Sequence, residues 1–526
     1  THYRICPLCE ACCGLEVTQK NGNILRIRGA DKDPFSKGYI CPKAIALKDL
    51  HEDPDRLRMP LVKRNGVWFD ATWDEAFAEI ETRLLPIMAQ HGRDAVAACI
   101  GNPAVHKAGL LLYFPRLARA LGTRNIFSAS TLDQSPKQLS CGLMFGHWLT
   151  VPVPDIERCN FLVIIGANPM VSNGSMWTVP DYRSKAQALR ARGGRIVVID
   201  PRLSETAQAA NEHIFIKPGG DVFLLAGLLH TLFEEGLVNT RNLTEYVNGI
   251  DHLKTCIKPF SAERVQTHCG IEAPRIRALA RALANASQAA VYGRMGTCVQ
   301  AYGSVNSWLI DALNVVTGNL DAPGGVMFPR SVAFGANVHA PAGAPPGVGK
   351  GVQTGRHKSR VSGAPEVYGE LPITCLAEEI ETPGTGQVRA IISVASNPVL
   401  SAPDGPRLSK ALEQLEFMVS VDIYLNETTR HADVILPGLS PLEEFHYDVA
   451  FAQLSYRNHA RASLPVFEPP ADQMPEWTTL LRLSGLVEGR GSAIAPETLD
   501  DEDVQRLLGP HADTVMPTLD QHKGPR

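Results

Sequence analysis

Apolar runs that stop abruptly at small residues recur along the chain. Residues 161–169 read FLVIIGANP and residues 390–398 read AIISVASNP. Each run is continuous rather than alternating, the pattern of a strand buried on both faces. Each ends in a small-residue turn and Asn-Pro. Two further runs, IVVID at 196–200 and FMVSVD at 417–422, end in a carboxylate. The register then continues, through Glu205-Thr206 and Glu427-Thr428 to Ala210-Asn211 and Ala432-Asp433. The pattern predicts two copies of one αβ unit. A third kind of strand, AAVYG, leads into Gly293-Arg294-Met295-Gly296, and a helix-like run precedes Asn314-Val315-Val316-Thr317-Gly318-Asn319. The stretch from Ala340 to Gly363, rich in Gly, Pro and Ala, reads as a long loop. Residues 486–526 are polar with little periodicity and read as a linker or stump.

The repeat suits a dinucleotide. A buried strand ending in a tight small-residue turn lets backbone N–H groups approach phosphates. A carboxylate 32 residues after Asn168, and 25 after Asn397, can accept hydrogen bonds from a ribose or a guanine edge. Two ordinary αβ units without a ligand are the alternative; the matched Asn, Asp, Glu and Thr favour two related nucleotide sites. Neither copy carries G-x-G-x-x-G, so nicotinamide and flavin are not indicated. Lys217-Pro218-Gly219-Gly220-Asp221 is a turn closing on an Asp, and Pro323-Gly324-Gly325 is a further glycine turn.

At 526 residues and 44% hydrophobic content, the chain is too long for one core, and three or more domains are expected. The net charge of -4 is small and no block of five Lys/Arg occurs, so no nucleic-acid polymer is expected as a partner. No apolar run reaches the roughly 18 residues of a membrane span. The chain begins at Thr1 and shows no twin-arginine or signal-peptide pattern, which gives the expectation of a cytoplasmic protein, with any membrane association made through a partner.

Five of the twelve cysteines fall in the first 41 residues, which reads as metal ligation rather than a disulfide framework. Cys6, Cys9 and Cys13 follow the spacing C-x2-C-x3-C, and Cys41 arrives in Gly38-Tyr39-Ile40-Cys41-Pro42. Four thiolates, three from one loop and one from a distant loop, suit a 4Fe–4S cluster. Structural zinc is the alternative, although zinc sites more often show two similar knuckles. Cys12 neighbours the third ligand, and the x3 spacing favours Cys13.

Taken together, these segments resemble the molybdopterin oxidoreductases that carry a bis(pterin guanine dinucleotide), the family of formate dehydrogenases, nitrate reductases and dimethyl-sulfoxide-type reductases. The cysteine cluster, Arg56-Leu57-x2-Pro60-Leu61, Thr72-Trp73-Asp74-Glu75-Ala76, VVIDPR, KPGGD, TGN followed by APGG, and ADVILP occur in that family's order, over residues from about 2 to about 485. The resemblance implies molybdenum or tungsten on two dinucleotides beside the cluster, a two-electron redox or oxygen-atom transfer on a small-molecule substrate, and an electron-transfer partner protein or subunit. It places Lys43 between cluster and pterin as the electron route. It assigns Gly166, Ala167, Asn168, Asp200, Gly219 and Asp221 to one dinucleotide, and Ser396, Asn397, Asp422 and Asp433 to the other. Met295 and Gly296 would face the pterin region.

Four departures stand out. The family's Gln after the Gly-Met-Gly stretch is displaced to Gln300, a usual Lys corresponds to Glu444, a late Asp corresponds to Glu476, and the family's C-terminal β-barrel-like domain is missing. The last implies a truncated chain or a partner that completes the site. The protein ligand to the metal is sought within Asp133–Gly146. Aligning Gly142 with the family's glycine places Ser135 at the ligand position, followed in preference by Asp133 and Cys141. A hard oxygen ligand suits oxygen-atom transfer, whereas a thiolate would suit formate chemistry. His106 and His147 are weighed as funnel residues against the commoner fate of a satisfied or surface histidine.

The expected fold class is α/β and multidomain, with discontinuous Rossmann-like αβ domains and a small N-terminal 4Fe–4S domain. The expected boundaries are 1–58 with a return segment at about 438–485 for the cluster domain, 59–126 plus 336–437 for the second nucleotide domain, and 127–335 for the first. The competing functions are a non-catalytic iron–sulfur electron-transfer subunit of a respiratory complex and a formate dehydrogenase-like enzyme; a non-redox hydration is a third.

Overall fold

The computed structural model describes residues 1–333, 354–519, 521 and 525. Its N-terminal unit is a three-stranded antiparallel sheet of β1 (His2–Ile5), β2 (Gly14–Lys20) and β3 (Asn23–Gly29). The cysteine loop joins β1 to β2.

Two larger sheets follow the repeat. The first copy lies in a four-stranded parallel sheet ordered β11-β10-β9-β12, with β9 Phe161–Ile165, β10 Arg195–Ile199, β11 Glu212–Ile214 and β12 Ala289–Gly293. The second lies in a seven-stranded sheet ordered β5-β4-β18-β17-β16-β6-β7. Its strands are β4 Leu61–Arg64, β5 Val67–Asp70, β6 Val96–Ile100, β7 Ile126–Ser128, β16 Ala390–Val394, β17 Phe417–Val421 and β18 Val434–Leu436. The run from β18 to β7 is parallel, and β4 and β5 add an antiparallel edge. The order β18-β17-β16-β6 therefore repeats β11-β10-β9-β12. Continuous apolar runs suit these positions, because helices cover both faces of each parallel sheet: β9, β16 and β17 are buried along their whole length.

Three two-stranded pieces complete the described sheets: β8 (Val153–Pro154) with β13 (Val326–Met327), β14 (Thr354–Lys358) with β15 (Pro365–Val367), and β19 (His446–Tyr447) with β20 (Ala462–Ser463). The segment Thr72–Ala76 now has a local reason. Thr72 Oγ1 accepts from the Glu75 N–H at 3.2 Å and Glu75 Oε2 accepts from the Thr72 N–H at 2.8 Å, a capping box opening helix Trp73–His91.

Two expectations change. Of the stretch Ala340–Gly363, residues 340–353 lie outside the described ones, and Thr354–Lys358 is strand β14 rather than loop. The segment 486–526 is not a linker where it is described. It forms helices Pro496–Leu508 and Ala512–Leu519. The first docks through buried Leu499 and Val504, through the Tyr113 hydroxyl donating to Asp500, and through Arg116 Nε on Asp503 at 2.8 Å. So few of its positions are apolar that periodicity alone does not show the helix.

Candidate active site

The cysteine loop is drawn tight by its backbone. The Cys6 N–H donates to the Cys13 carbonyl at 2.8 Å, and Cys12 takes a left-handed conformation with φ 50°. Cys41 sits at the N-cap of the short helix Pro42–Ile45, whose first residue is the proline that best tolerates that position. Burial pushes the Cys6 thiol up to about 12, and the nearby Cys9 and Cys41 add to the shift. Cys13 is raised by burial and by the same neighbours, Cys6, Cys9 and Cys41. Four thiols thus crowd one another, the condition that ligation by a cationic iron–sulfur core relieves. Among the described residues, no three His, Cys, Asp or Glu side chains close on a point as ligands of one ion. Cys12 is turned elsewhere: its thiol donates to the Glu10 carbonyl at 3.3 Å and lies against the Asp448 carboxylate.

A cavity of about 590 Å³ joins this loop to the two sheets. Cys9, Glu10 and Lys43 line one end, and Asp133, Gln134 and Ser135 enter where helix Ser135–Phe145 begins. Ser135 is the first residue of that helix, so its hydroxyl sits at the positive end of the helix dipole. The Asp133 carboxylate is engaged by Arg294, Nη2 to Oδ1 2.5 Å, and Arg294 Nε also donates to Ser175 Oγ at 2.6 Å. Cys141 does not line the cavity; it is fully buried within the helix, and burial pushes its thiol up to about 12.

His106 is on the wall, stacked on Phe451 at 4.8 Å between ring centroids, with its Nδ1 unpartnered. Burial lowers its imidazole to about 4, so it is neutral at physiological pH. His147 is not on the wall; its Nδ1 accepts from the Leu149 N–H at 3.1 Å. Glu10 is the residue that motif reading missed, although it directly follows the second cysteine. Its Oε2 accepts from the Met176 N–H at 2.9 Å, and burial, opposed by Arg294, raises its carboxyl to about 7. The cavity therefore holds a group that can take up or release a proton near neutrality.

The repeat extends to the side-chain hydrogen bonds of the turn asparagine. Asn168 and Asn397 have φ, ψ of -127°, 64° and -120°, 64°. Asn168 Nδ2 donates to Glu205 at 2.7 Å and its Oδ1 accepts from Thr206 Oγ1 at 2.7 Å. Asn397 does the same with Glu427 at 2.7 Å and Thr428 at 2.7 Å. Both asparagine side chains are thus committed to holding the turn. What remains to face a ligand is backbone and the flanking small residues Gly166, Ala167 and Ser396. Past the next strand, the Arg202 N–H donates to Asp200 at 2.8 Å and the Tyr424 N–H to Asp422 at 3.1 Å.

Around the first turn, the Gly296 N–H donates to the Gly166 carbonyl at 2.9 Å, and Met295 beside it is exposed. Gln300 donates to Asp221 Oδ2 at 2.7 Å and to the Gly296 carbonyl. Asp221 follows the Gly219 turn and is buried; burial raises its carboxyl, and Asp200 nearby adds to this. Around the second turn, burial raises the Asp422 carboxyl to about 6, with Glu476 adding to the shift. Such desolvated acceptors suit a donor-rich guanine edge.

Asp433 does not belong with this group. Its carboxylate accepts from the Met418 N–H at 2.9 Å and from Arg83 at 2.9 Å. Met418 is near the start of β17 and Asp422 follows its end, a separation of roughly 13 Å at the strand rise of about 3.3 Å per residue. Asn211 is the counterpart, its Oδ1 accepting from Ile196 N–H at 2.9 Å. The pair Asn211 and Asp433 pins strand starts. Two of the sequence departures meet in space. Glu444 and Glu476 converge on Lys107, which lies 2.8 Å from Glu444 and also pairs with Glu476. Burial pushes the Glu444 carboxyl well up, with Glu476 adding to it.

The molybdopterin oxidoreductase pattern matches residues 56–486, and the molybdopterin oxidoreductase Fe4S4 domain matches residues 2–50. Among curated proteins, a formate dehydrogenase alpha subunit of Methanococcus maripaludis is 28% identical over 488 residues, covering 92% of this chain and 69% of that protein. The assimilatory nitrate reductase catalytic subunit of Bacillus subtilis is 27% identical over 464 residues, covering 84% and 63%. Among solved structures, acetylene hydratase from Pelobacter acetylenicus superposes with a TM-score of 0.74 at 20% identity, over 93% of this chain and 69% of that one. That likeness establishes a shared fold. With the first of these patterns spanning both sheets and the second the cysteine loop, the chain belongs to the molybdopterin oxidoreductase family and carries that family's N-terminal 4Fe–4S domain.

Proposed function

We propose that the chain holds a molybdenum or tungsten bis(pterin guanine dinucleotide) between its two αβ copies and works as an oxidoreductase on a small substrate. The observation that carries this is the cavity, whose walls carry Cys9 and Lys43 of the cluster region together with Ser135, with Gly101 just after β6 and with Arg294 just after β12. When bound, the metal group would supply two-electron redox or oxygen-atom transfer. The chain's own residues do the rest. Gly166, Ala167 and Asn168 with Asp200, Asp221, Gly219, Gly296 and Gln300 would hold one dinucleotide, and Ser396, Asn397 and Asp422 the other. Ser135 is the favoured protein ligand to the metal, since the Asp133 carboxylate is engaged by Arg294. Glu10 would hold or release a proton at its carboxyl. Lys43 lies on the electron route between cavity and cluster, from which a partner protein or subunit would draw.

The test is metal and nucleotide analysis of purified protein, followed by turnover with formate, nitrate, and S- and N-oxides. The reading expects iron and sulfide, molybdenum or tungsten, and two guanine nucleotides per metal. Iron and sulfide without the heavier metal or a pterin would sink it and leave a non-catalytic electron-transfer subunit.

A further inference from the structure

Three cations face the cysteine loop, and they are not alike. Lys43 opens onto the cavity. Arg461 is matched by Asp33, Nη1 to Oδ1 3.0 Å, and donates to the Cys12 carbonyl at 2.7 Å. Arg4, in β1, is only 4% exposed. Its Nε reaches the Ile5 carbonyl at a marginal 3.5 Å, and neither Nη1 nor Nη2 has a partner. Arg4 pairs across the sheet with Leu15, which packs in the same buried cluster as Cys6 and Cys13. The nearest carboxylate on that side, Glu444, makes no ion pair with it; its Oε2 pairs with Lys107 at 2.8 Å. A guanidinium keeps its charge at neutral pH. A buried guanidinium with two unmet NH2 groups is costly and persists where an anion completes it. The remaining neighbour, Cys6, is a thiolate when it ligates the cluster.

We propose that Arg4 is a fixed positive charge set against the Cys6 side of the iron–sulfur cluster, its unpartnered NH2 groups donating to cluster sulfur and raising the cluster's reduction potential. A cation held in a low-dielectric site favours the more negative, reduced state, and hydrogen bonds to sulfur shift cluster potentials. Arg4 touches no substrate; it acts through the cluster. The proposal rests on the cluster reading, whose own failure is visible first, as wild-type protein carrying zinc in place of iron and sulfide.

The experiment is a redox titration of the purified protein, following the electron paramagnetic resonance signal of the reduced cluster in wild type, Arg4→Gln and Arg4→Lys. Arg4→Gln is expected to keep its iron and sulfide. At the wild-type midpoint its ratio of reduced to oxidised cluster falls about tenfold, a shift of about 59 mV for one electron. Arg4→Lys, which keeps the charge but not the planar fork, is expected to fall between the two. Should Arg4→Gln lose its iron, Arg4→Lys carries the test: a midpoint below wild type supports the proposal and an unchanged one overturns it. An unchanged midpoint in Arg4→Gln overturns it as well, with the proviso that a fall in released guanine nucleotide would then assign Arg4 to a dinucleotide. Loss of iron from both variants would make Arg4 a folding residue and also overturn it.

Discussion

The two αβ copies make the same turn with different residues. After β9 the turn residue is Gly166 at φ 57°, and after β16 it is Ala395 at φ 47°. The difference lies in what each turn meets. A Cβ on Gly166 would stand 2.9 Å from the Gly296 Cα, and one on Gly296 would stand 2.7 Å from the Gly166 Cα. Both partners must be glycine there. In the second copy the facing residue is Gly101, whose Cβ would fall 1.8 Å from the Ala395 carbonyl oxygen. The room is made on one side only, and the turn itself tolerates a methyl group. A left-handed non-glycine residue costs about 1–2 kcal/mol, small enough for the strand-end contacts to override. A glycine fingerprint therefore reports crowding, not the turn as such. That explains why one dinucleotide-type turn reads Gly-Ala-Asn and the other Ala-Ser-Asn.

The copies also differ in their acceptors. The first has the buried Asp221, held by Gln300, near the half-buried Asp200, whereas the second has Asp422 beside the Lys107, Glu444 and Glu476 group. The sharpest way to break the comparison is to remove one carboxylate from each. Each charge-assisted bond contributes roughly 1.5–3 kcal/mol, so Asp200→Ala or Asp422→Ala alone should weaken one dinucleotide by about one to two decades. The double variant should be nearly empty. Guanine nucleotide released on denaturation measures both, and equal occupancy in all three variants would end the two-site reading.

Next in size is the glycine asymmetry. Gly101→Ala drives a methyl group into the Ala395 carbonyl and should lower unfolding free energy by about 3 kcal/mol. Ala395→Gly should change it by no more than about 1 kcal/mol. Chemical denaturation of the two variants decides it; similar losses would mean that the copies do not differ in crowding.

The smallest effect concerns Asp422 in protein stripped of cofactor. Its carboxyl, raised to about 6 in the fold, lies above its unfolded value. Folded protein thus binds the proton more tightly, and stability falls as pH rises through the interval between the two values. Asp422→Asn should remove that fall and stabilise the cofactor-free chain by about 1–2 kcal/mol above pH 6, after allowing for partial solvent exposure, with no gain at pH 4. Thermal melts at the two pH values test it, and a gain independent of pH would point to packing instead.

Much of the framework was legible because strand burial and short-range turns are written locally. FLVIIG and AIISVAS are buried strands whichever contacts follow, and the four cysteines sit at spacings that one loop and one distant residue can bring together. The Glu-Thr register noted after each Asp has a local meaning too, since each pair clasps the asparagine of its own copy. Asp433 shows the limit. Its position in the repeat matches Asn211, yet repeat position alone does not tell the ligand end of a strand from the other end.

The sequence by itself determined the family and the two αβ copies, and it narrowed the candidates to four cysteines for the cluster and to Ser135, Asp133 and Cys141 for the metal, because each depends on residue type at short or fixed spacing. Only the tertiary structure decided that Arg294 engages Asp133, that Cys141 turns away from the cavity, and that Lys107 meets Glu444 and Glu476. It also decided that Glu10 is desolvated and that helix Pro496–Leu508 docks. Those are contacts between residues up to hundreds of positions apart, and charge and burial at such distances are properties of the folded chain rather than of any segment of it.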